Sequence, residues 1–392
     1  MKLVVAGGTG RQGRGAIWYL LKQKDVAQIV VGARRLDKVK ELVAGLGDKR
    51  LVAKFLDVHD IGNATEVFKG ADVIVNCVYE GYRTDENYAD LKLTTTEAAL
   101  EAGVNYTELG GGPSAPEQLA LSDEFKKKEL LAIPGVGALT GLIQIMAAYG
   151  INKLARSDSI DAKSGGRDLV SPEEHSQPLA WGSSLGGATR FRYSVNSIYY
   201  EDGKLHYGPP RDKPEVFKFR EPIGAVTIAQ TPNAAVISLS RSFPDLKYIS
   251  VKTGEDPDFC TKVIFFRGLG FFGKNPLNVQ GQMVLPWEVL SALVEQLAPE
   301  TKPADIRWET RVVVRGEKNG SEVEYHISSL SKEEKVARAG LRVAIAAVMV
   351  GRGQTKGKGV LMPEACIPPE QYLDELAHAG TEEIEITRKM RL

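Results

Sequence analysis

The sequence predicts an α/β chain: a Rossmann-type, doubly wound parallel sheet with a second, inserted α/β domain built on a mixed sheet. Three observations carry this. The chain opens on MKLVVAGGTGRQGRG, where a strand-type apolar run meets a glycine turn and then a segment with helical spacing. Further short apolar runs, at 29–32, 51–55, 71–78 and 130–136, alternate with helix-patterned segments, as parallel strands buried on both faces do. From about Ser157 the pattern changes to alternating strands with polar turns. The expected division is 1–135 with 340–392 for the dinucleotide domain, and 136–339 for a substrate and dimerisation domain.

In the opening stretch, Gly8, Gly10 and Gly13 fit G-x-G-x-x-G between Leu3-Val4-Val5-Ala6 and the apolar-periodic Ala16, Ile17 and Tyr19-Leu20-Leu21. One glycine makes the tight turn, one admits a pyrophosphate to the backbone, and one lets helix and strand pack closely. The N–H groups at the helix start then face the phosphates. At the end of the second strand an acid would bind the 2′-hydroxyl of NAD, and arginine the 2′-phosphate of NADP. The chain has Arg34-Arg35 there and no acid before Asp37, which favours NADP over NAD.

A helix is expected at 37–46 and a strand at 51–55, ending at Asp57-Val58, where such folds meet the adenine; an acid there also suits a helix N-cap. The next strand ends at Asn76-Cys77-Val78, so Asn76 and Val78 are cofactor-side candidates by the switch-point rule. Cys77 reads as packing. A helix at 88–102 leads to Glu108-Leu109-Gly110-Gly111-Gly112, a carboxylate followed by glycines at a strand end, and Glu108 is a candidate acid or base. A long apolar helix over 139–154 leaves the domain.

The middle is expected to hold strands at 189–195, 216–219, 235–239 and 262–266. The segment 167–187 is polar and helix-poor, suited to a substrate loop or dimer arm. Arg190, Arg192, Arg220 and Arg241 are candidates for a substrate carboxylate, because guanidinium offers it two parallel hydrogen bonds. His175, Tyr193 and Lys252 are the proton-transfer candidates here. The cluster at 268–273 reads as a turn. A helix at 286–297, a linker at 299–303 and a strand at 310–316 follow. Asn319-Gly320 pairs that strand with 323–327 as a hairpin. A core helix over 331–351 packs back on the first domain.

Composition narrows the partners. With 50 basic and 50 acidic residues the net charge is zero, which favours neither nucleic acid nor an anionic membrane. No uncharged apolar run approaches the ~18 residues of a membrane span, and the immediate start on a strand leaves no room for a leader. Three distant cysteines and five scattered histidines fit a reducing cytoplasm and no metal site. The expected partner is a small, carboxylate-bearing substrate.

The order of motifs resembles the saccharopine dehydrogenase-like family, particularly its lysine 6-dehydrogenase and saccharopine reductase branch. The stretches concerned are VVAGGTGRQG, ADVIVNCV, ALEAGVNYTELGG and IPGVGALTGLIQIMAAYGINKL, with KGVLMPEACIPPEQYLDELAHAG near the end. The resemblance implies NAD(P)-dependent chemistry at an amino-acid C–N bond, by oxidative deamination or imine reduction. By position, Gly8, Gly10, Arg11, Gln12 and Gly13 would hold the pyrophosphate, Arg34 and Arg35 the ribose side. Asn76 and Val78 would flank the nicotinamide path, and Glu108, Gly110 and Gly111 the substrate. A homodimer is expected by analogy of fold. The lysine dehydrogenase branch continues an aromatic–Lys–Thr segment through Arg and Tyr-Pro-Gly-His; here 251–257 read VKTGEDP, without that Arg or His. Two alternatives stay open: a non-catalytic dinucleotide binder, and a reductase of C=O or C=C bonds in a non-amino substrate.

Overall fold

The computed structural model describes residues 1–78, 91–110, 115–169, 193, 195–255, 257–273, 275–297, 305–332 and 337–390. The first part alternates strand and helix: β1 (Lys2–Ala6), α1 (Arg11–Leu20), β2 (Gln28–Ala33), α2 (Leu36–Leu46), β3 (Leu51–Phe55), α3 (Ile61–Phe68) and β4 (Val73–Asn76). It continues with α4 (Leu91–Ala102), β5 (Asn105–Glu108), α5 (Ala115–Ala120), α6 (Ser122–Lys127), β6 (Leu131–Ile133) and α7 (Leu142–Ile151). The second part holds β7 (Arg156–Asp168), β8 (Ser197–Glu201), β9 (Lys204–Gly208), β10 (Glu215–Lys218), β11 (Ala225–Gln230), α8 (Ala234–Ser242) and β12 (Tyr248–Glu255). Next come α9 (Pro257–Gly268), the small hairpin β13 (Leu277–Val279) and β14 (Gln282–Val284), α10 (Pro286–Leu297), β15 (Ile306–Lys318) and β16 (Ser321–Ser331). The return comprises α11 (Arg338–Gly351), β17 (Gly359–Val360), α12 (Pro363–Cys366), α13 (Pro369–His378) and β18 (Glu382–Met390).

The first sheet has the order β17-β6-β5-β4-β1-β2-β3, with every pairing parallel. Chain order reverses between β1 and β4, which puts the crevice of a doubly wound sheet at their carboxyl ends. The second sheet is mixed. Its spine is β10-β11-β12-β7-β15-β16-β18, with β8 on β12 and β9 on β8. One face of this sheet, with Ile160, Ala162, Val251, Val312 and Val314, shares a single core with Leu3, Val5, Val75 and Leu131 of the first sheet. Helices α1, α7, α11 and α13 lie in that shared core. The opposite face of the first sheet is covered separately, by residues such as Phe68, Ala99 and Phe125.

Four expectations need correction. The segments 235–239 and 262–266, expected as strands, lie in helices α8 and α9. Asn233 caps α8 by accepting from Ala235 N–H at 2.9 Å, and Pro257 opens α9, a position where its missing donor costs nothing. Tyr193 is helical; most of the strand expected around it lies outside the described residues. Residue 331 still belongs to β16, and the return helix begins at Arg338. Finally, β18 pairs with β16 over its length, so residues 382–390 join the second sheet rather than the dinucleotide domain. The anchor there is Glu382, which is drawn into the core by Arg342 and Ser329.

Helix α11 is apolar nearly all round and buried from Ala339 to Val350, as a central helix must be. It crosses α1 at two glycines. A Cβ on Gly15 would come within 2.7 Å of the Ala337 carbonyl oxygen, and one on Gly340 would overlap the Gln12 carbonyl. Within this apolar helix Arg342 is 2 % exposed and pairs at 2.6 Å with Glu382, which is fully buried. Arg342 also donates to the Ala138 carbonyl in the loop between β6 and α7, and its own carbonyl accepts from the Tyr372 hydroxyl at 3.1 Å. Burial pushes the Glu382 carboxyl up. The Arg342 charge and the hydrogen bonds from Arg342 and Ser329 outweigh that and hold it below the ordinary carboxylate range.

Replacing Arg342 with methionine strands a buried carboxylate and is expected to cost about 3–5 kcal/mol in urea unfolding at pH 7. The double change Arg342→Met/Glu382→Met is expected to cost less, since no charge is left alone. The folded carboxyl is depressed below the ~4.3 of an unfolded glutamate. The contribution of Glu382 is therefore present above that value and is lost as pH falls through its folded pKa. A single variant as stable as the double would show that the pair does not tie these segments.

Candidate active site

The glycine turn follows β1 directly. Gly7, at φ +73°, and Gly8 both donate to the Gly32 carbonyl, at 2.9 and 3.0 Å, tying the turn to the end of β2. A Cβ on Gly7 would sit 3.1 Å from the Cys77 carbonyl carbon and the Val78 nitrogen, so only glycine lets the turn lie this close to the end of β4. A Cβ on Gly13 would overlap the Gly7 carbonyl oxygen and fall 2.6 Å from Gly8 Cα, which fixes how closely α1 approaches β1. Gly10 is the N-cap of α1. No side chain caps this end, and no acid lies in its first turn. An uncapped, acid-free helix start at a switch point fits a pyrophosphate.

Arg34 and Arg35 lie beyond β2, both exposed, in the turn that starts α2. This is where the sequence expectation put a 2′-phosphate. Asp57, half-buried after β3, accepts from His59 N–H at 3.1 Å, while its own N–H donates to Asn63 Oδ1. The cap of α3 is Asp60, not Asp57. Val58 is buried in the core on the outer face of the first sheet. Arg11 is exposed at the start of α1.

The adjacent ends of β1, β4 and β5 are in register through Ala6, Asn76 and Glu108. Asn76 is 2 % exposed and its amide is committed inward. Its Nδ2 donates to Thr95 Oγ1 and the Tyr106 hydroxyl, both at 2.9 Å, and its Oδ1 accepts from Val78 N–H at 3.0 Å. It therefore shapes the backbone at Val78, and its amide is engaged inside the protein rather than turned to the cofactor, contrary to the expectation from sequence. Gln12 departs likewise. Its Oε1 accepts from Gly340 N–H at 2.8 Å, satisfying a donor at the start of α11, so its side chain turns away from the pyrophosphate position.

Glu108 ends β5 and is 1 % exposed. Its Oε1 accepts from Gly135 N–H at 3.3 Å and its carbonyl accepts from Val136 N–H at 2.8 Å. A Cβ on Gly137 would overlap the Leu109 carbonyl, so the loop leaving β6 lies directly on the end of β5. Gly110 follows, half-buried; Gly111 and His175, like Arg190 and Arg192, lie outside the described residues.

Four candidates are placed away from this junction. Lys252 alternates along β12 with Val251, which lies in the shared core, and with the buried Thr253, and so faces the other side of the second sheet. Its Nζ is 3.4 Å from Glu215, which also holds Lys163 at 2.9 Å. Arg220 is bound by three carboxylates, Glu309, Glu383 and Glu385, at 3.0–3.1 Å, which offsets the charge a substrate would need. Arg241 is exposed at the last turn of α8. The Tyr193 hydroxyl donates to Cys260 Sγ at 3.2 Å within a satellite core.

One pair was not singled out in the sequence. Trp308, at the start of β15, donates from Nε1 to Ser164 Oγ at 2.7 Å, and the Arg338 guanidinium lies 5.4 Å above its ring. Arg338 is in the first turn of α11, between Ala337 and Gly340, which lie against Gly15 and Gln12 of α1. Trp308 and Arg338 lie thirty residues apart and share no motif; only the packing of α11 on α1 brings them together.

Among the described residues no group of His, Cys, Asp and Glu could hold a metal ion, and no helix is long and apolar enough to cross a membrane. Cys77, Cys260 and Cys366 are buried and form no disulfide.

Two family models match, the saccharopine dehydrogenase NADP-binding domain over residues 3–133 and the saccharopine dehydrogenase C-terminal domain over 137–381. Carboxyaminopropylagmatine dehydrogenase of Synechocystis sp. is 21 % identical, over 97 % of this chain and 96 % of the relative. Apo saccharopine dehydrogenase (L-Glu forming) from Saccharomyces cerevisiae shares the fold, with a TM-score of 0.76, 16 % identity and full coverage of both chains. The glycine turn thus belongs to an NADP-binding domain, and the protein is an NAD(P)-dependent dehydrogenase. By both matched domains, this chain is a member of the saccharopine dehydrogenase family.

Proposed function

We propose that this dehydrogenase acts on the C–N bond of an amino acid, by oxidative deamination or by reduction of an imine. The observation that carries the reading is Glu108, a buried carboxylate at the joined ends of β4, β5 and β6, two strands across from β1 and the turn that fits the dinucleotide. The name of the Synechocystis relative states both a carboxy and an amino group on its substrate, which agrees with this reading.

The bound dinucleotide supplies hydride transfer at its nicotinamide. The chain does the rest. The uncapped start of α1, with Gly8, Gly10 and Gly13, seats the pyrophosphate, and Arg34 and Arg35 take the 2′-phosphate. Glu108, fixed through the Gly135 N–H, holds or accepts a proton of the substrate amine. A cytoplasmic homodimer is part of the same proposal.

Two measurements test it. In calorimetric titration, Arg34→Ala/Arg35→Ala is expected to weaken NADPH about tenfold or more, about 1.4 kcal/mol, and to leave NADH unchanged. Equal losses for both cofactors would remove the arginines from the 2′-phosphate. In NADPH absorbance assays against amino acids, and against amines paired with keto or aldehyde partners, the wild type should turn over at least one. Glu108→Gln should lower that rate about 10²–10⁴-fold while NADPH affinity holds. Silence across the panel would sink the C–N reading, and an active Glu108→Gln would sink the role of the carboxylate.

A further inference from the structure

Two stretches of the chain, IPGVGALTGLIQIMAAYGINKL and KGVLMPEACIPPEQYLDELAHAG, each bury a polar residue that the proposed reaction does not use. These are Gln144 in the first turn of α7 and Glu364 in α12, both buried and 220 residues apart. Gln144 Nε2 donates to Glu364 Oε2 at 2.7 Å and to the Ser238 hydroxyl of α8 at 2.6 Å. Ser242, the last residue of α8, donates to Glu364 Oε1 at 2.9 Å. One cluster thus ties α7, α8 and α12 together. A buried amide and carboxyl cost free energy unless bonded, and a bonded network of this kind is rigid.

The sense of the Gln144 amide follows from the chemistry of its partners. A serine hydroxyl accepts or donates, so Ser238 alone would let the amide flip. Glu364 Oε2 accepts only, whether or not the other oxygen carries a proton, so it takes Nε2. Gln144 Oε1 is then left to accept from the Gly141 N–H, which it does at 2.7 Å.

Gly141, at φ +90°, lies directly on the loop leaving β6. A Cβ on it would come within 2.5 Å of the Gly135 carbonyl oxygen and 2.8 Å of Val136 Cα. The N–H groups of Gly135 and Val136 are those that hold Glu108, at its carboxylate and at its carbonyl. Contact therefore runs unbroken from Glu364 through Gln144 and Gly141 to the backbone on which Glu108 rests.

We infer that Glu364, acting through Gln144, is a positioning residue for Glu108. The inference rests on the role proposed for Glu108 and adds the groups, from both parts of the chain, that hold it in place.

Hydrogen exchange and steady-state kinetics of the full chain test it together. Glu364→Leu is expected to speed amide exchange in the segment 134–141 about tenfold or more. With the best substrate of the amino-acid panel, kcat should fall about tenfold or more while KM and NADPH affinity stay within about twofold. Burial pushes the Glu364 carboxyl up, so its neutral isostere is the matching control. Glu364→Gln keeps an acceptor for Gln144 and should restore both slow exchange and kcat. Gln144→Met, which takes the acceptor from the Gly141 N–H, should behave as Glu364→Leu does and decides the matter if that variant does not fold. Unchanged exchange would overturn the inference. So would faster exchange with kcat intact, or a Glu364→Gln as impaired as Glu364→Leu. An active Glu108→Gln beside a loosened 134–141 would place the failure in the role of Glu108, and the inference would fall with it.

Discussion

Arg342 is the side chain on which the joining of the two sheets turns. From inside an apolar helix it reaches the loop leaving β6 through the Ala138 carbonyl and the first residue of β18 through Glu382. Removing two charges from water costs several kcal/mol each, and their attraction repays this only when the remaining donors and acceptors are satisfied. Here they are supplied by Ser329 and a backbone carbonyl. The geometry that results is specific: the β6–α7 loop is held down, and that loop carries the Gly135 N–H on which Glu108 rests. A second buried network runs parallel to it. Gln144 at the start of α7 donates to Ser238 and to Glu364, whose carboxyl burial pushes up. Both networks fix the entrance to α7, so the candidate acid is positioned by the contact between the two parts of the chain as much as by its own strand.

The catalytic reading gains from this arrangement. Glu108 has almost no exposure, and its environment is set by backbone donors and glycine contacts. A group so held loses little freedom when a substrate binds, which is what orientation of a reacting centre requires. Asn76 contributes in the same indirect way, by fixing Val78 beside the Gly7 turn.

Much of the first part was legible from sequence because its signals are local. Parallel strands buried on both faces leave continuous apolar runs, and a dinucleotide turn needs its glycines at fixed spacing. Glu108 stood out for the glycines that follow it. The second part was harder. The segments 235–239 and 262–266 are short apolar runs whose periodicity does not distinguish strand from helix. Their caps, Asn233 and Pro257, were the signals that could have decided it. Arg220 and Lys252 looked available only because the carboxylates that engage them come from other strands. Gln12 looked like a phosphate ligand because nothing near it in sequence reveals Gly340. Trp308 and Arg338 carried no local signal at all.

The last stretch of the chain gives an edge strand to each sheet, β17 to the first and β18 to the second. β17 pairs with β6 across the whole inserted second sheet. Loop closure must precede such non-local contacts, so this edge of the first sheet closes later than the local hairpins of the second. Until it closes, β6 presents an open strand edge, the kind of surface that pairs with another chain.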